Sequence, residues 1–318
     1  MFALSATLVA SGAEDVGGDV VPSPTATATP SQAAMARAMS ALGGIRDSPW
    51  FRPAAATVIA VGCLGGGAKN AFTDHPTGEF MLAHEYWFGE HTYVGGADKA
   101  SHFVAFEILA RELAGLYEYI GFEREPSRAV GFGLSVATGA LIEIGDGTNQ
   151  FGFSYEDLLS DIAGAGTALL LAETGTEDVI GFRYGKVPGA PEHAVSGIGR
   201  DYSYEIYAGD LKLAGLERHL GINLGLARYL LLSVTYGVKG YPKGAIPDRE
   251  RQIGFEVGLN LGEMLSALSV DRSTWWGIAA HVITDDFRVP YTAGGYRYDL
   301  NHARWRGPNT GEGCGACD

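Results

Sequence analysis

Between Asp98 and Asp161, three segments with helical spacing each place two ionisable residues on one face: Asp98 with His102, Glu143 with Asp146, and Asp157 with Asp161. Residues three or four apart on a helix are surface neighbours, so each pair acts as a unit. Apolar residues flank all three pairs, and a carboxylate packed among them without a partner is costly. A fold that buries the apolar stripes must therefore bring the pairs together or leave them at an edge. We expect the first solution: a small bundle of three to five helices with a polar site inside it.

The local signals agree. In the first segment, Phe103, Phe106, Ala110, Leu113 and Leu116 recur at helical spacing as far as about Tyr119. Glu107, Arg111 and Glu112 interrupt that stripe, which excludes a free-standing membrane span. Asp98 also suits a helix N-terminus, where the dipole favours a carboxylate; that alone leaves His102 unexplained. The second segment opens at Pro126-Ser127 and reaches Glu143 and Asp146, where Gly145 and Gly147 end it. Two carboxylates at a helix C-terminus are disfavoured by the dipole and call for a partner such as a metal, His102 or a lysine. The third opens at Ser154, with Asp157 three residues on as in a capping box. Asp157 is explained either as a cap or as a site residue, whereas Asp161 sits a turn further among Leu158, Leu159 and Ile162. Gly164 and Gly166 allow this helix to approach a neighbour closely. Ahead of the three, Phe80 to Gly89 reads as a short amphipathic segment rich in aromatics.

Residues 1–48 are rich in Ala, Ser, Thr and Gly and bury too little to offset chain entropy, so a disordered leader is expected there. Ala54 to Leu64 is apolar, follows Arg46 and Arg52, and ends in Ala60-Val61-Gly62-Cys63. Two readings stand: a signal sequence with Cys63 as lipid anchor if translation begins at Met35 or Met39, or a short buried helix. The remaining cysteines, Cys314 and Cys317, form C-G-A-C. They read either as a redox or metal pair or as a small loop in a flexible tail over 307–318.

Beyond a Gly- and Pro-containing linker over 185–200, the apolar period changes from 3.6 to two. Strands are expected around Tyr202 to Ile206, Ile222 to Leu226, Leu230 to Tyr236, Ile253 to Leu261 and Tyr296 to Leu300. The fold class is therefore α+β: a helical bundle over 49–184, then an antiparallel β-rich region over 201–306. The alternation also suits an outer-membrane barrel, but the candidates are fewer than the eight strands a minimal barrel needs. A small sheet packed on the bundle or on a membrane surface is the expectation. The residues Asp285 to Tyr291 and Tyr298 to His302, dense in polar and aromatic side chains, read either as the lining of a binding groove or, the favoured reading, as loops that satisfy their own backbone groups.

Composition narrows the partners. With a net charge of −14 and only 23 Lys and Arg, the chain lacks the basic footprint that displaces counterions, so no nucleic acid is expected. The 46 glycines exceed the usual ~7% share without any period, which excludes collagen-like repeats. Oligomeric state is left open.

The order D-K-A-S-H-F, then E-I-G-D-G, then F-G-F-S-Y-E-D-L-L-S-D-I-A-G-A, preceded by W-F-G-E-H-T-Y-V-G-G, resembles the VanZ-like group of bacterial envelope proteins. It is most similar to a related family of uncharacterised, predicted periplasmic lipoproteins. The resemblance spans about Trp87 to Leu171, and its motif positions are Asp98, Lys99, His102, Glu143, Asp146, Ser154, Asp157 and Gly164. At Asp161 the VanZ-like pattern usually has Asn. What the resemblance implies is a location on the periplasmic side of the bacterial envelope, with a membrane surface or envelope lipid as partner; it implies no reaction.

Two functions follow. One is a structural or binding role in which the charged cluster is a hydrogen-bonded network fixing helix register. The other is a hydrolase or transferase acting on an envelope lipid or glycan. Its candidate acid and base groups are His102, Asp98, Glu143, Asp146 and Asp157, and its candidate ligands for a divalent metal are His102, Glu143, Asp146 and Asp161. The first is favoured, because polar networks inside helical bundles do not require chemistry.

Overall fold

The computed structural model describes residues 48–73, 79–186, 202–241, 249–270, 272 and 274–309. The expected leader, most of the linker and the Cys314/Cys317 pair lie outside these residues. In chain order the elements are α1 (Phe51–Thr73), β1 (Leu82–Ala83), α2 (Ala97–Tyr119), α3 (Arg124–Asp146), β2 (Phe153–Ser154), α4 (Tyr155–Thr174), β3 (Ile180–Lys186), β4 (Glu205–Lys212), α5 (Leu213–Leu220), β5 (Leu230–Lys239), β6 (Glu250–Leu259), α6 (Leu261–Ala267), α7 (Trp275–Asp286), β7 (Ala293–Asp299) and β8 (Arg304–Asn309). The α+β class is as the two hydrophobic periods require.

Helices α2, α3 and α4 pack on one another, with small residues where their backbones approach. A Cβ on Gly164 would lie 2.1 Å from the Phe103 carbonyl oxygen, and one on Gly131 would lie 2.5 Å from that of Ala110. Gly166, by contrast, faces open space. The caps are those the sequence signals: the Asp157 amide donates to Ser154 Oγ at 3.2 Å, and Gly96 precedes α2 in the left-handed region at φ 85°. The α1 helix lies beside α3, where Cys63 Sγ is 3.1 Å from Thr138 Oγ1. By length and composition alone, α3 and the segment Phe51–Lys69 could each cross a membrane.

The segment Phe80 to Gly89 is not a helix. Its residues Leu82 and Ala83 pair with Phe153 and Ser154 in a short parallel ladder. The Met81 amide donates to the Gly147 carbonyl at 2.7 Å, which anchors this strand across the C-terminus of α3.

The β-region is one six-stranded antiparallel sheet in sequence order from β3 to β8. Two of its strands carried no recognised alternation: β3, which begins at Ile180 ahead of the expected linker, and β8. Conversely, residues 222–224 are irregular and Gly225–Tyr229 form a 3-10 turn rather than a strand, with Leu226 exposed. The stretch Asp285–Tyr291 is not wholly loop either, because α7 continues through Asp286. Where α2 crosses β3, β4 and β5, Val104, Tyr207 and Val238 form a core with Phe103 and Phe182.

Candidate functional site

The first turn of α2 is held by a kinked 3-10 turn, Tyr93–Gly96, in which Gly95 also has positive φ. A Cβ on Gly96 would lie 2.6 Å from the Phe88 ring. This tight entry turns Asp98, Lys99 and His102 toward α3 and α4. There Lys99 is buried to 1% exposure, and its ammonium is shared among three carboxylates. It contacts Glu85 from the segment after β1, Asp157 of α4 at 2.6 Å and its neighbour Asp98 at 3.4 Å. Tyr202, just ahead of β4, donates its hydroxyl to Asp98 and so joins the cluster to the sheet.

One turn along α2, His102 Nδ1 is 2.8 Å from Asp161 Oδ1, and its Nε2 is 4.0 Å from Asp98 Oδ1. Asp161 is fully buried, and its second oxygen, Oδ2, has no hydrogen-bond partner. Gly139 of α3 is what admits it, since a Cβ there would lie 2.4 Å from that oxygen. Glu143, also buried, accepts the Ser154 amide at 3.1 Å through Oε2. Potential ligand atoms of His102, Glu143 and Asp161 lie within 4.8 Å of one another, as do those of Asp98, His102 and Asp157.

Asp146 is set apart. Its carboxylate accepts Asn149 Nδ2 at 2.9 Å across the C-terminus of α3, and it belongs to neither of these groups. Its expected pairing with Glu143 on one helix face is thus split, one residue serving the cluster and the other the turn. Glu85, Tyr202 and the fully buried Glu156, which accepts the Tyr86 amide at 3.2 Å, are site residues that the sequence did not mark. No spacing rule connects them to His102; Glu85 arrives through the β1–β2 ladder, Tyr202 through the approach to β4 and Glu156 in the first turn of α4.

The electrostatics follow from an excess of carboxylates over cations. Burial pushes Glu143 up to about 9, with Asp157 adding to the effect and His102 opposing it. Burial likewise pushes Glu85 up to about 8, helped by Asp98 and Asp157 and countered by Lys99. For Asp98, burial is outweighed by His102 and Lys99, which hold it below the usual carboxylate range. Burial alone would lower His102, but the hydrogen bond to Asp161 and the charge of Asp98 hold it well above the usual imidazole value. At neutral pH the arrangement is therefore a protonated His102 and Lys99 facing an ionised Asp98, with Glu143 and Glu85 carrying protons, while burial raises Asp161 against the opposing hydrogen bond and charge of His102. Such a site can keep protons on buried carboxyls, or exchange them for a cation.

The sheet buries a second set of charges on the face away from α2. Arg183 pairs with Asp210 at 2.5 and 3.0 Å, Arg288 with Glu256 at 2.5 Å, and Arg304 and Arg306 with Glu250 and Asp299. His302 Nδ1 lies 2.7 Å from Asp299 Oδ2. Glu250, Asp299 and His302 have a ligand-like spacing, yet arginines already hold both carboxylates. A cavity of about 470 Å³ between the helices and α6–α7 is lined by Arg111, Lys212, Arg218 and Arg272 among others; it includes none of the residues around His102.

Residues 84–173, the stretch containing α2, α3, all but the last residue of α4 and the His102 cluster apart from Tyr202, match the model of a family described as predicted periplasmic lipoprotein (DUF2279). That description agrees with the periplasmic envelope location expected from the sequence. No curated protein and no solved structure matches the chain.

Proposed function

We propose that this chain is an envelope protein with a structural or binding role, in which the Lys99–His102 cluster locks three helices in register and ties them to the sheet. The observation that carries the reading is Lys99 itself. Its ammonium lies between Asp98 and Asp157 and so places a positive charge where those two carboxylates face each other. An internal cation thus serves Glu85, Asp98 and Asp157 without an external one. Burying these charges costs several kcal/mol per ion before their mutual attraction is counted, so the arrangement favours register over net stability. We read the motif order as VanZ-like. We also place a lipid anchor at Cys63; cleavage before it would remove the first half of α1 and retain Gly67, whose position beside Thr138 fixes the remainder on α3.

A second reading is supported by the unpartnered Oδ2 of Asp161 and by the grouping of His102, Glu143 and Asp161. There a divalent cation would replace the protons on the carboxyls, and the site would serve hydrolysis or transfer on an envelope lipid or glycan. Metal stoichiometry separates the two. We expect no bound metal in the purified protein, with Lys99→Met and Asp161→Asn both less stable. Near-unit occupancy lost in His102→Ala and Asp161→Ala would replace the lock with a metal centre.

A further inference from the structure

The polarity of the sheet is inverted across β5 to β8. Strand register places three successive rows on the face that α2 partly covers. The first is Leu211, Leu232, Val257 and Gly294; the second is Gly209, Val234, Phe255 and Tyr296; the third is Tyr207, Tyr236, Ile253, Tyr298 and Trp305. None of them holds a charge. The opposite face of the same strands holds Ser233, Glu256, Thr235, Arg297, Gln252 and Asp299. A water-soluble sheet turns its apolar face to the core and its polar face outward. Here the charged face is the buried one, while Leu232, Val234, Phe255, Val257, Tyr296 and Trp305 are 43 to 61% exposed.

Three features identify what would cover these residues. Apolar outside with paired charges inside is the arrangement of a lipid-facing sheet. From Leu230 to Tyr236 the apolar band runs for about 20 Å at the rise of an antiparallel strand, close to the ~25 Å of membrane barrels. At the border beyond β5 the row is aromatic, Tyr298 with Trp305, and the next position on β6 is Arg251, whereas Tyr236 of the same row is covered by Phe88 and donates its hydroxyl to the Gly95 carbonyl. Aromatic side chains between an apolar band and charged residues are characteristic of a membrane interface. Among the described residues β8 has no partner on its outer side, and an open strand edge is not tolerated in hydrocarbon. A sheet spanning the bilayer is thereby disfavoured relative to one lying on it.

We infer that the exposed face of β5 to β8 docks on a lipid bilayer, with Val234, Phe255 and Val257 in the acyl layer and the sheet edges at headgroup level. The inference shares only the envelope location with the reading above, and its test leaves the His102 cluster untouched. The full-length protein, with Cys63, Cys314 and Cys317 replaced by Ser, receives a single Val257→Cys and an environment-sensitive fluorophore. Glu118→Cys, on the exposed end of α2, is the control. With vesicles of phosphatidylethanolamine and phosphatidylglycerol, the label at position 257 should shift to the blue and be quenched by bromolipid, while the label at 118 does neither. A label at 257 that stays in water in the presence of vesicles overturns the inference. So does shielding without vesicles: dependence on protein concentration would assign the face to a second copy, and independence to another segment of this chain.

Discussion

Among the described residues charge is buried around His102, in the sheet, and around Arg111, which meets Glu107 and Asp286; the first two differ in balance. In the sheet, the carboxylates of Asp210, Glu250, Glu256 and Asp299 are met by Arg183, Arg288, Arg297, Arg304 and Arg306. Around the helices, Glu85, Asp98, Glu143, Asp157 and Asp161 have, among the described residues, Lys99 and His102 as their cations. A matched set of guanidinium and carboxylate groups fixes geometry and needs nothing further. An excess of buried carboxylates must hold protons or a cation, so the helical cluster is where pH or a ligand can act. This difference separates a scaffold from a candidate site better than burial, which both regions share.

Removing the cation should expose that contrast most sharply. Lys99→Met leaves three carboxylates facing one another and is expected to cost about 3–5 kcal/mol in denaturant unfolding, with part of the loss recovered in acid. Arg183→Met should cost a similar amount by stranding Asp210, with a smaller recovery in acid, because one carboxylate that keeps its Ser233 hydrogen bond is left where Lys99→Met leaves three. Equal acid recovery in both variants would erase the distinction between the two networks. A smaller effect is expected from Gly164→Ala. The new methyl meets the Phe103 carbonyl, and overpacking of this kind costs roughly 1–3 kcal/mol, read as a shift in the unfolding midpoint.

The pH dependence itself has a definite sign. The folded protein keeps the Glu143 proton up to about 9, whereas the unfolded chain releases it near 4.5, so stability should fall as pH rises through that window. His102 acts in the same direction: its contribution is complete below the unfolded value of 6.5 and is lost as pH passes its raised folded value. Thermal melts across this range should therefore slope downward, and Glu143→Gln should flatten them. A slope unchanged by that substitution would remove Glu143 from the titrating set. Least of all should come from Val257→Ser, within about 0.5 kcal/mol in detergent-free solution, because the side chain is already half in water.

Much of the helical half was legible because its signals are local. The 3.6 period gave α2 to within a residue of both ends, Ser154 gave the start of α4, and the one-face pairs gave Asp98, His102, Asp157 and Asp161 as neighbours. Glu85 escaped because the aromatic-rich Phe80–Gly89 stretch reads only as a short amphipathic segment. Its real geometry depends on a two-residue parallel ladder with β2, a pairing set by residues some 70 positions away. Strands β3 and β8 were missed for a related reason: Gly181 and Gly185 in one and the arginines in the other interrupt an alternation that only partner strands make regular.

By itself the sequence determined the α+β division, the three helices and the meeting of their charged faces. These follow from periodicity and from the cost of burying an unpaired carboxylate. Tertiary structure alone decided that Lys99 is the cation of that site, that Asp146 leaves it for the turn at Asn149, and which side of the sheet is inside. Alternation states that two faces differ, but not which is buried. Here the paired charges turned inward and the apolar rows were left facing out.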